Sequence, residues 1–172
     1  ITSLDRREVA PSSATQHMFL NEDGTPMEFW DAAIGSQSVG VPGTPLLLEV
    51  MHEKFGQLEW DALFPSAIQL ATNGFEKSPR LQKMIDADKG KLDRFVRTQS
   101  YFYNNSPMLI NAAYAKTLED YKDHKAAIFY DPDAIGGDII QATDNRITAD
   151  DLKNYKVIER TPLCERYKNK TI

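Results

Sequence analysis

Two adjacent arginines and a glutamate, Arg6-Arg7-Glu8, stand in a short segment that begins with β-branched residues and runs into Ala10-Pro11. A guanidinium is a rigid fork of donors that can hold a carboxylate by two parallel hydrogen bonds. A doubled Arg on an extended segment is therefore suited to gripping a small acid. Neighbouring residues on a strand leave by opposite faces, so Arg6 points away from any pocket that Arg7 enters. The competing reading is a structural pair of Arg7 with Glu8 or Asp5, and local features alone favour it.

Other chemistry is weaker. His17, His52 and His124 are scattered, with no i, i+4 pair and no Cys partner, so a zinc site is not indicated. Asp131, Asp133 and Asp138, and the run Asn21-Glu22-Asp23-Gly24, lack the 12-residue loop of a calcium site and read as turns and a helix start. Gly40-Val41-Pro42-Gly43-Thr44-Pro45 could cradle a phosphate at a helix N-terminus. It has neither the Lys of a P-loop nor dinucleotide-loop spacing, and Pro45 removes a donor, so a structural turn is favoured. Cys164 has no nearby His and reads as a packing residue in a strand-like stretch. No Gly-x-Ser-x-Gly elbow occurs, and Asn169-Lys170-Thr171 is a glycosylation triplet of a kind common by chance. No cofactor is expected.

The elements that must position Arg7 follow from periodicity and punctuation. Residues 1–9 read as a strand ended by Pro11-Ser12-Ser13, and residues 12–43 as a long irregular stretch. Thr44-Pro45 starts a helix that Gly56 ends. A helical run covers about residues 59–73, with Pro65 kinking or dividing it and Asn73-Gly74 stopping it. Ser78-Pro79 starts a short amphipathic helix, and residues 88–95 hold another. A helix spans roughly 109–122, and one opens at Asp131-Pro132 that Gly136-Gly137 weakens. Thr148-Ala149-Asp150-Asp151 is a capping box with Asp in place of Glu. Val157-Ile158 and Arg166-Tyr167-Lys168 read as strands. With no visible partner in the middle of the chain, the strands at both ends are expected to await a sheet supplied elsewhere.

The chain has 172 residues and a net charge of −5, which argues against a nucleic-acid protein. Its single Cys excludes an internal disulfide framework. No apolar run approaches the roughly 18 residues of a membrane span. The start at Ile1 lacks a Met, a basic region and an apolar run, and reads as the start of a cut or processed chain. The fold class read from this order is α+β, a largely helical piece with terminal strands, and residues 1–172 are taken as a single partial domain.

Four segments, in this order and spacing, resemble the gamma-glutamyltransferases (gamma-glutamyltranspeptidases). They are Arg7-Glu8-Val9-Ala10-Pro11, with Met18-Phe19-Leu20 and the Asp23-Gly24 turn after it; Gly40-Val41-Pro42-Gly43-Thr44; residues Pro65 to Phe75 (PSAIQLATNGF); and Ile147 to Tyr155 (ITADDLKNY), continued by Glu159-Arg160-Thr161-Pro162. Residues 78–125 match least. The resemblance implies a four-layer αββα sandwich of the N-terminal nucleophile hydrolases and a precursor that cuts itself into two subunits. It also implies a Thr at the new N-terminus that attacks γ-glutamyl amides such as that of glutathione, with its own amine as base. The acyl group then passes to water or to an amino acid or peptide amine.

No Thr-Thr-His segment of the kind that family cleaves occurs here, so the nucleophile is expected outside these residues, and the chain alone is expected to be inactive. The implied partners are the small subunit, the rest of the large subunit and a small γ-glutamyl substrate; the implied location is periplasmic or secreted. The one site residue the resemblance carries over is Arg7, as the partner of the α-carboxylate of the γ-glutamyl group, with Glu8 supporting the strand or Arg7. Two alternatives stay open: a relative with other amide chemistry, such as a cephalosporin-type acylase or a poly-γ-glutamate depolymerase, or a non-catalytic helical interaction module.

Overall fold

Proline or glycine bounds the helices Thr44–Phe55, Pro65–Asn73 and Pro79–Ala87. A computed structural model describes residues 2–171. The chain forms two compact units, one made of the residues through Thr15, Val39–Phe55 and Ala126 onward, the other of Gln16–Ser38 and Gly56–Lys125.

In the first unit, strand Ser3–Asp5 pairs antiparallel with Ile158–Arg160, in the register Ser3↔Arg160, Leu4↔Glu159, Asp5↔Ile158. The strands expected to lack a partner within the chain thus find one in each other, in a ladder of only two strands. The first strand is also shorter than the expected residues 1–9: Ile1 lies outside the described residues, and the ladder stops at Asp5. Beyond it the chain makes an isolated bridge, Val9↔Val41. A second pairing, Arg166–Tyr167 with Lys170–Thr171, is a local hairpin. Cys164 is exposed and lies outside both strands, so it is not the packing residue its surroundings implied.

Three helices complete this unit: Thr44–Phe55, Ile135–Ala142 and Ala149–Asn154. The capping box forms in full. Thr148 Oγ1 accepts from the Asp151 N–H at 3.1 Å, and Asp151 Oδ2 accepts from the Thr148 N–H at 2.9 Å. Gly136-Gly137 does not weaken its helix but permits it. A Cβ at Gly136 would lie 2.4 Å from the Asp131 carbonyl oxygen, and one at Gly137 2.3 Å from that of Pro132. The core gathers Val41, Ile147, Leu152 and Tyr155, with Leu46, Tyr130, Ile139, Ile140 and Val157 against them. These apolar side chains come from four separate stretches of sequence, and burying them is what holds the stretches together.

The second unit is built on helices Pro65–Asn73 and Ala112–His124. Pro65 divides the expected 59–73 run: a 3₁₀ turn, Trp60–Leu63, precedes it, and Pro65 opens the helix proper. Gly74 stops that helix at φ 81°, a conformation costly to a side chain. Trp60, Phe64 and Tyr121 meet edge to face with ring centres 5.0–5.5 Å apart. Leu109, expected inside a helix, instead pairs with Phe75 in a two-stranded ladder, and the helix starts after the Asn111 cap. The stretch expected to be irregular contains a short α-helix, Phe29–Ala33, and a 3₁₀ turn, Ser36–Ser38. Helices Pro79–Ala87, Lys89–Leu92 and Val96–Phe102 follow the Ser78-Pro79 signal. Among the described residues, no helix is long and apolar enough to cross a membrane.

Candidate functional site

Arg7 lies two residues past the end of its strand, in the link to the Val9 bridge. Its main chain is fixed at both ends. The Arg7 N–H donates to Asp5 Oδ1 at 3.1 Å, and the Arg7 carbonyl accepts from Tyr155 Oη at 3.0 Å. Its side chain is 81% exposed, and Nη2 donates to Glu8 Oε1 at 2.7 Å. Arg6 goes elsewhere: its Nη1 donates to Thr44 Oγ1 at 3.2 Å, at the start of the Thr44–Phe55 helix. The two neighbouring guanidiniums thus have different partners.

Each group that fixes Arg7 is itself held. Asp5 Oδ2 accepts from Arg160 Nε at 2.7 Å and from Arg160 Nη2 at 2.6 Å, across the strand pair. The Arg7 N–H and then Arg160 hold the Asp5 carboxyl below the ordinary carboxylate range. Glu8 is also held low, first by its own backbone N–H and then by Arg7. Tyr155 is buried and stacks on Tyr130, ring centres 5.7 Å apart and planes 12° from parallel. Tyr130 Oη in turn donates to the Pro42 carbonyl at 2.8 Å.

The Gly40–Thr44 turn packs along this segment. A Cβ at Gly43 would fall 1.9 Å from Tyr155 Oη and 2.2 Å from the Arg6 carbonyl oxygen, and one at Gly40 would press on the Glu8 side chain at 2.9 Å. These glycines are there for close approach of backbone to backbone, which answers the structural side of the phosphate-loop question. A groove of about 700 Å³ is lined by residues that include Val9, Ala10, Ser12, Val41, Asp151 and Ile158; neither Arg7 nor Glu8 lines it. Among the described residues no cluster of three His, Cys, Asp or Glu side chains could hold a metal.

Of the residues singled out from sequence, Arg7 is presented on a fixed backbone and Glu8 is its carboxylate neighbour. Sequence reasoning missed Tyr155, Tyr130 and the Asp5–Arg160 pair. Tyr155 carried a signal, since it follows the capping box at the end of an apolar pattern, but nothing in sequence tells which carbonyl its hydroxyl reaches.

The arrangement can hold a carboxylate against an exposed, oriented guanidinium. It contains no activated nucleophile. A family model described as Gamma-glutamyltranspeptidase matches residues 1–172. A glutathione hydrolase proenzyme from Bacillus subtilis strain 168 is 31% identical over 96% of this chain and 30% of its own length. Two solved structures superpose on 99% of this chain. One is a gamma-glutamyltranspeptidase from Pseudomonas nitroreducens complexed with L-DON, at TM-score 0.87, 32% identity and 52% of that chain. The other is the gamma-glutamyltranspeptidase of Helicobacter pylori, at TM-score 0.88, 29% identity and 51% of that chain. The chain thus spans about 30% of the length of that curated relative and about half of those solved chains.

Proposed function

From the premise that this chain belongs to the gamma-glutamyltranspeptidase family, we propose that it is the part of a γ-glutamyl-transferring enzyme that grips the α-carboxylate of the donor through Arg7. The donor class is glutathione and related γ-glutamyl amides, and the acceptor is water or an amine. The rest of the sandwich, the nucleophilic Thr and the oxyanion donors belong to sequence beyond these residues, with the small subunit as the partner. The location we assign is periplasmic or secreted.

The observation that carries this reading is the contrast within Arg7 itself. Its main chain is tied at N–H and C=O while its guanidinium stands exposed. A fixed fork that is open to solvent suits a ligand that arrives and leaves. The Glu8 carboxylate already occupies Nη2. The α-carboxylate of a donor takes that place, exchanging one charged acceptor for another, so Arg7 stays paired throughout. Held there, the donor has its γ-amide carbonyl at a set distance from the nucleophile, which is the orientation a bound substrate needs. The Thr hydroxyl adds to that carbonyl carbon, the C–N bond breaks, and the amine leaves with the proton. Water or a second amine then cleaves the ester.

The test is anilide release from a γ-glutamyl anilide by the full-length enzyme, with Arg7→Ala alongside. The expected loss in kcat/KM is about 100-fold, as when a hydrogen bond to a charged group is removed. An active parent whose Arg7→Ala variant keeps its efficiency overturns the role of Arg7. A parent that processes itself but ignores this anilide overturns the acyl specificity and leaves the scaffold.

A further inference from the structure

The two bonds on the Arg7 main chain have a consequence for selectivity. A residue's N–H and C=O directions fix its φ and ψ, and these fix where its Cβ points. For a long side chain that must meet a carboxylate bidentately, that direction narrows the approaches open to the fork, and the side-chain torsions set the rest. At Arg7 one direction is set by a side chain two residues away and the other by a side chain 148 residues away. Asp5, locked by Arg160, takes the N–H, and Tyr155, locked by Tyr130 and by the close approach of Gly43, gives its hydrogen to the C=O.

We propose that Tyr155 and Asp5 are positioning residues for substrate selection. Clamping the Arg7 peptide from both sides, they aim its guanidinium and so set how strongly the enzyme prefers acyl groups that carry a free α-carboxylate. This rests on the reading of Arg7 as the carboxylate partner. Tyr155 suits the task because its ring is buried and stacked, which holds its hydroxyl against the Arg7 carbonyl. Burial, and then the negative charges of Asp5 and Glu8, push its phenol above the ordinary range, which keeps the donor hydrogen in place. A purely structural hydroxyl would satisfy the same carbonyl, but its loss would lower stability without changing which acyl group is preferred.

The experiment uses the full-length processed enzyme and two anilides, γ-glutamyl anilide and 4-aminobutyryl anilide, the same acyl group without its α-carboxylate. The variants are Tyr155→Phe, which keeps the ring and the stack, Asp5→Asn, which spares the core, and Arg7→Ala as reference. With Tyr155→Phe, kcat/KM on the γ-glutamyl anilide should fall about 5- to 30-fold, mostly through KM, as for one buried hydrogen bond. The 4-aminobutyryl anilide should change by less than about twofold, so the preference narrows. Asp5→Asn should narrow it in the same direction and by less, and it decides the matter should Tyr155→Phe not fold. Equal losses on both substrates, or no change on either, overturn the proposal. Should Arg7→Ala leave the preference intact, the Arg7 reading itself falls. Should Arg7→Ala abolish the preference while both other variants keep it, only the clamp falls.

Discussion

The segment around Arg7 and the stretch from Pro79 to Tyr103 each have a tyrosine hydroxyl on a main-chain carbonyl, Tyr155 on Arg7 and Tyr103 on Ile85, and they differ in what closes around it. Around Arg7, the main chain is fixed by nearby Asp5 and by Tyr155 from 148 residues on, and glycines allow contacts that no Cβ would permit. In Pro79–Tyr103, three short helices are joined by surface pairings such as Lys91 with Asp88, Arg94 with Asp31 at 2.8 Å, and Lys91 over the Trp30 ring at 4.1 Å. Ile85 is the buried side chain there among the described residues, while Met84, Phe95 and Val96 are exposed. The difference separates positions where one atom decides from positions where average hydrophobicity decides. It also fits the resemblance, which was weakest over residues 78–125.

Substitutions can break this contrast, each read as a denaturant midpoint of the full-length protein. Ile147 has no exposed surface, so Ile147→Ala should cost about 3–4 kcal/mol through lost burial and a cavity. Met84→Ala, at an exposed position, should cost under about 0.5 kcal/mol. Comparable losses would dissolve the distinction. The glycines sharpen it. Gly43→Ala places a methyl on Tyr155 and the Arg6 carbonyl and should cost about 2–3 kcal/mol. Gly90→Ala meets nothing within 4 Å on a helix and should gain up to about 1 kcal/mol. A smaller difference is expected between caps. Thr148→Ala breaks a reciprocal box and should cost about 1 kcal/mol, and Ser78→Ala, which removes a single cap bond, about half that.

Acid should act on the Arg7 side of the comparison. The Asp5 carboxyl is lowered first by the Arg7 N–H and then by Arg160. At Asp151 burial pulls upward, but hydrogen bonds from Thr148 and Ser12 outweigh it and the net shift is down. A carboxylate lowered in the folded state contributes stability fully above its unfolded value of about 3.9, and loses it as pH falls through the folded value. Melting temperature should therefore hold from about pH 7 to 5 and drop below about pH 4, and the double variant Asp5→Asn, Asp151→Asn should flatten that drop. An unchanged slope in the variant would place the acid sensitivity elsewhere.

What could be read in the sequence follows the same division. The capping box, the proline starts at Thr44-Pro45 and Ser78-Pro79, and the break at Pro65 were legible because each rests on a local backbone constraint. Arg7 was legible only through the order of the segments around it. The pairing of Ser3–Asp5 with Ile158–Arg160 was not, because strand partners this distant leave no local trace and both strands are three residues long. Gly136-Gly137 misled for a related reason. Poor helix formers were read as weakening, whereas the nearby carbonyls that exclude any side chain are visible only in the folded chain. Tyr155 was in view as an apolar position, but the bond to Arg7 depends on the chain returning across 148 residues.

That return sets a timetable for synthesis. Ser3 cannot find Arg160 until the intervening residues have been made, which at cellular rates takes about 8–30 seconds. The Phe75–Leu109 ladder and the two main helices of the second unit are complete well before then. The segment that bears Arg7 is thus the earliest of these parts to leave the ribosome and among the last to be secured. Its exposed wait is a window in which chaperones or proteases compete with folding.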